Sequence, residues 1–163
     1  MKTMKTIAVE GLVAGALGGG AVAGWFLLHD VIARRPFFTP SLLGAVVFHG
    51  QRDGSAVTVS GRLVLEYSLL HWAVFMVFGV AAAALLAAAD RQPSLLIVFV
   101  MLTCCFEVAA LVLIAVLAEW LFEALAWWTV TLANVLAAAS MLVFLGRRHR
   151  RAWRENRALV WND

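Results

Sequence analysis

Leu63-Val64-Leu65-Glu66-Tyr67-Ser68-Leu69-Leu70-His71-Trp72-Ala73-Val74-Phe75-Met76-Val77-Phe78-Gly79-Val80, continued by an alanine-rich run to Ala88, is the stretch that decides the fold. A hydrocarbon core about 30 Å thick takes about 20 apolar residues in a helix rising about 1.5 Å per residue. This stretch is longer than that and carries a single acid. Three others are also long and apolar enough, with at most one acid each: Thr6–Leu28, Leu95–Ala118 and Ala124–Leu145. The expected fold is therefore all-α, a polytopic integral membrane protein built as a four-transmembrane-helix bundle. With lipid as the solvent, every polar side chain inside a span needs a protein partner.

Composition agrees with that reading. Of 163 residues, 63% are hydrophobic and only 14% charged, against about a quarter charged in soluble domains. Mean hydropathy is +0.89. The length leaves no room for a separate soluble catalytic module, so 1–163 reads as a single membrane domain. The first apolar segment is too long for the core of a signal peptide and is expected to stay as a membrane helix.

Charge placement sets the orientation. Lys2 and Lys5 precede the first span, and Arg147, Arg148, Arg150, Arg151, Arg154 and Arg157 follow the last. Basic ends favour the cytoplasm, and an even number of spans puts both termini there, N-in/C-in. The third turn, with Glu119 and Glu123, is then external. Arg34, Arg35, Arg52 and Arg62 on the first loop run against this assignment. The basic tail 146–163 is expected along the cytoplasmic surface, drawn to anionic lipid. Nucleic acid is not an expected partner.

Gly11, Gly15 and Gly19 recur at four-residue spacing in the first span, with Gly18, Gly20 and Gly24 nearby. Helices in lipid associate through close backbone contact, and such glycines make a groove for it. Two occupants are open: a helix of this same bundle, or another subunit. In the first loop, Thr39 suits an N-cap, Pro40 the first helical position and Gly50 a terminator. Ser41 to His49 is thus read as a short amphipathic helix on the outer interface. Gln51 to Gly61 follows as a hairpin-like loop with Arg52-Asp53-Gly54 at its turn.

Ionisable groups within spans are functional candidates by default. Rise per residue places His71 about 13 Å, Glu107 about 18 Å and Asn134 about 12–15 Å below the outer surface. These three form a candidate buried polar cluster. It reads as a hydrogen-bonded knot, as a proton-handling group, as a metal or haem site on His71 with Glu107 or Cys104, or as a contact for a lipid or quinone headgroup. A lone deep histidine does not supply bis-imidazole haem ligation within one chain. Cys104 and Cys105 are neighbours on a helix and cannot bridge each other. His29, Asp30, Glu119 and Glu123 form an outer rim, read as solvated charge or a cation-collecting group. Glu10 is read as rim chemistry offset by Lys5 or Arg91. No phosphate-binding loop, HExxH, nucleophile elbow or paired EXXH helices occur.

Gly11-Leu12-Val13-Ala14-Gly15, Asp30, Phe38-Thr39-Pro40-Ser41-Leu42-Leu43-Gly44, His71, Phe106-Glu107, Trp128 and Asn134 together resemble a group of small, uncharacterised four-helix bacterial inner-membrane proteins. The likeness covers most of 10–146. It implies four membrane helices in the bacterial inner membrane and brings no activity. The expected role is non-catalytic and without a cofactor: a small accessory subunit packing against partners in a larger, energy-converting membrane complex, respiratory or photosynthetic. The rival expectation is a self-standing redox, metal- or haem-binding or proton-handling protein centred on His71 and Glu107, present as a homo-oligomer.

Overall fold

The computed structural model describes residues 3–90, 92 and 127–148. Among them the regular structure is entirely helical: α1 (Met4–Ile32), α2 (Phe38–His49), α3 (Gly61–Ala89) and α4 (Trp127–Arg148), with a 3-10 turn at Gly54–Ala56 and no strand. Three helices, Met4–Ile32, Gly61–Ala89 and Trp128–Arg148, are long and apolar enough to cross a membrane, which marks a membrane protein. Leu95–Ala118 and the tail beyond Arg148 lie outside the described residues.

α1 is the hub. It packs along α3 on one side and α4 on the other, while α3 and α4 meet at few points and α2 rests mainly on α3. Thr3 starts α1 by accepting the Thr6 N–H at its hydroxyl. The glycines then let α1 and α3 touch backbone to backbone. A Cβ on Gly11 would collide with the Val80 backbone, one on Gly15 with the Phe75 carbonyl, and one on Gly79 with Gly11. Gly18 instead makes room for Met141 of α4, where a Cβ would lie 2.7 Å from its sulfur. Among the described residues there is space around Gly20 and Gly24: a Cβ would meet only the rim of Trp72 at 3.9 Å, or nothing within 4 Å. The small-residue stripe thus serves two different helices and runs out before the end of α1.

The outward faces are as apolar as the inward ones. Leu65, Leu69 and Val77 of α3 are 60%, 65% and 71% exposed. That distribution suits a lipid solvent and would be costly in water.

α2 begins earlier than its sequence signals suggest. The helix starts at Phe38, with Phe37 rather than Thr39 in the N-cap position and no side-chain cap of its own. Arg34 and Phe37 both take positive φ (56° and 63°), folding the chain back over the end of α1. Asp30 of α1 thereby reaches the Thr39 N–H, and a distant carboxylate does the capping. Gly50 ends the helix at φ 62°, as its conformational freedom allows. Gly44 lets α2 lie against α3, since a Cβ there would come 2.5 Å from the Leu63 carbonyl oxygen. The expected amphipathic division is not seen, since Leu42 and Ala45 are buried beside polar residues. Thr39 and Ser41 are buried while Val47 and Phe48 face outward, because the hydrogen-bonding partners lie in the protein and not around it.

The loop beyond is a short cap-and-turn. Ser55 donates its N–H and hydroxyl to Asp53 at 2.9 and 2.7 Å. Those bonds favour the ionised form and hold the Asp53 carboxyl below its usual range. Ser60 N–H donates to the buried Ser41 hydroxyl at 3.3 Å, fastening the loop to α2.

Candidate functional site

At the α2 end of the bundle, successive turns of α3 set Tyr67, His71 and Phe75 in one column, with Ser68 and Trp72 beside it. The His71 ring lies 4.7 Å from Phe75 and 5.9 Å from both Tyr67 and Trp72, centroid to centroid. Its Nε2 is 3.0 Å from the carbonyl oxygen of Gly19 on α1. A carbonyl only accepts, so Nε2 carries the hydrogen and, in the neutral ring, Nδ1 keeps the lone pair. Gly19 permits this approach: a Cβ there would sit 3.2 Å from Phe75 and 3.3 Å from Trp72.

Above His71, the last turn of α1 carries Asp30, whose side chain is 2% exposed. Its two oxygens accept from the Thr39 N–H and the Thr39 hydroxyl, both at 2.7 Å. The carboxylate therefore sits at the N-terminus of α2, where backbone N–H groups and the helix dipole favour negative charge. On the other flank of α1, the Trp25 indole donates to the Thr129 carbonyl of α4 at 3.0 Å. Trp25 meets Trp128 edge to face at 6.4 Å.

Between α1, α2 and α3 lies a cavity of about 160 Å³. Asp30 and Thr39 line one end, His71 and Trp72 the other, and Tyr67 and Ser68 the α3 wall between them. The remaining lining is apolar.

The sequence-derived candidates fall out differently. His71 is bonded to α1. Asn134 is on α4, half-buried, and α4 is joined to the bundle mainly through α1. Glu107, Cys104, Glu119 and Glu123 lie outside the described residues. Asp30, read as solvated rim charge, is instead buried and hydrogen-bonded. His29 stays partly exposed, its Nδ1 3.9 Å from an Asp30 oxygen. Glu10 is likewise buried, at 6% exposure. Glu66 sits at the α2 end of α3 and takes Arg62 Nε at 2.8 Å and His49 Nε2 at 3.0 Å. Among the described residues no three His, Cys, Asp or Glu side chains converge as a metal group.

Sequence reasoning missed Ser68 and the Asp30–Thr39 bond. Ser68 precedes His71 by three residues, a helical spacing that puts both on one face. The Asp30–Thr39 pair depends on a reversal at Arg34 and Phe37 that no local pattern announces. No family model, curated protein or solved structure matches this chain.

Proposed function

We propose that the chain is a small integral subunit with a structural, accessory role in a larger membrane assembly, respiratory or photosynthetic in kind. In this reading four helices cross a bacterial inner membrane, the second pair completed by residues 95–118. Both termini are cytoplasmic, and α2 lies on the outer interface. The observation that carries it is the bond from His71 Nε2 to the Gly19 carbonyl. His71 holds α3 against α1 through Nε2, a structural task, and the Nδ1 lone pair is what a haem, metal or proton-handling role would have to use. Asp30 and Trp25 are engaged in similar ties to α2 and α4. The open face at Gly20 and Gly24 and the apolar flanks leave surface for neighbouring subunits.

Purification of the full chain from its native membrane in a mild detergent tests this. The expected outcome is a colourless protein recovered together with other membrane subunits, with His71→Ala weakening the bundle. A homogeneous oligomer with an iron or haem spectrum that vanishes in His71→Ala would overturn the accessory role in favour of a redox protein centred on His71 and Glu107.

A further inference from the structure

We infer that the cavity between α1, α2 and α3 binds the ring of an uncharged, lipid-soluble molecule, an oxygen-bearing six-membered ring of the quinone or phenol class. This goes beyond the accessory role and does not depend on it.

Size comes first. The cavity measures about 160 Å³, and a buried apolar cavity of about 150 Å³ is known to hold one benzene ring. A single ring fills it, and anything larger must trail outside. Polarity comes next. Phe26, Leu27 and Leu43 supply apolar wall, while Tyr67, Ser68 and His71 gather hydrogen-bonding groups on one side. An apolar pocket with a few convergent polar groups is the general pattern of small-molecule sites. A ring stacked on the apolar wall would turn its oxygens towards α3, where the hydroxyls of Tyr67 and Ser68 can donate.

Charge selects against ions. Among the described residues Asp30 is the one acid in the lining, and no lysine or arginine joins it there. Both Asp30 oxygens already accept from Thr39 at the N-terminus of α2. An anion would meet that carboxylate unscreened. A cation would find each Asp30 oxygen already accepting one hydrogen bond and would lose its own hydration in the apolar wall.

Access is from the flank. Leu27, Phe37 and Trp72 line the cavity and are also 39%, 48% and 38% exposed, so its mouth opens between helices on the apolar exterior. A lipid-soluble molecule arrives by that route, with its tail left outside. Phe37 holds φ 63° at this mouth, a conformation rare for a bulky residue. Such backbone outliers gather at ligand clamps.

The test is a titration of the full chain, with any subunits that accompany it, in detergent micelles. The probe is decyl-1,4-benzoquinone, and quenching of tryptophan fluorescence is the readout. Saturation at one probe per chain is expected. Tyr67→Phe and Ser68→Ala should each weaken binding by about three- to tenfold, the worth of one hydrogen bond. Ala23→Phe, which fills the lining without removing a polar group, should abolish it at an unchanged melting temperature. Quenching that never saturates, or that is the same in Tyr67→Phe, Ser68→Ala and wild type, would reduce the signal to micelle partitioning and overturn the site. Equal displacement by decane would make the cavity an acyl-chain groove, and tighter binding of a carboxylate-bearing ring would refute the uncharged class.

Discussion

The Asp30 carboxylate takes two 2.7 Å hydrogen bonds from one residue, Thr39, nine positions away. It satisfies a backbone N–H in the first turn of α2, which no side chain within that helix caps. Asp30→Ala would leave that N–H and the Thr39 hydroxyl buried without their acceptor, at an expected cost of about 2–3 kcal/mol. Thr39→Val keeps the main-chain bond and should cost about 1 kcal/mol. Unfolding in mixed micelles, followed by helicity, measures both, and equal losses would show that the main-chain cap matters little. The sequence marks Asp30 only as a charge at the end of an apolar run. Hydropathy locates the end of a span along the chain. It does not report that Arg34 and Phe37 turn the next helix back over that end.

Glycines in α1 look alike in the sequence and differ in the bundle. Gly15 lies where a Cβ would enter the Phe75 carbonyl, and Gly24 faces open space. Gly15→Ala is expected to destabilise by about 1–3 kcal/mol through forced separation of α1 and α3. Gly24→Ala should be neutral or stabilising by about 0.5–1 kcal/mol, because alanine favours the helix and nothing obstructs it. Thermal melts of the two variants decide this, and similar destabilisation by both would mean that Gly24 also packs against a helix. Spacing told that α1 carries a groove. Which glycines are used depends on where α3 crosses, and that crossing is set by the complementary gap at Gly79.

Across the whole molecule, the apolar exterior of α3 and the inward polar groups of α2 agree on a lipid environment. The proposed orientation places the Asp53–Ser55 turn outside and Thr3 inside. In a background with Cys104 and Cys105 replaced by alanine, a membrane-impermeant maleimide added to intact spheroplasts should label Ser55→Cys and spare Thr3→Cys. The reverse pattern would invert the topology. The arginines flanking this loop make the experiment informative, since the loop and the tail carry opposing positive-charge signals.

The helical class and the apolar, membrane-crossing character of three helices were legible in the amino-acid sequence alone, because the cost of placing polar groups in hydrocarbon acts residue by residue along the chain. Partnership was decided only by the tertiary structure. His71 turned out to answer a backbone carbonyl of α1, Asp30 the first turn of α2, and the cavity arose where three successive helices meet. A hydrogen bond requires two groups within about 3 Å, and chain order does not encode which helices meet at that distance.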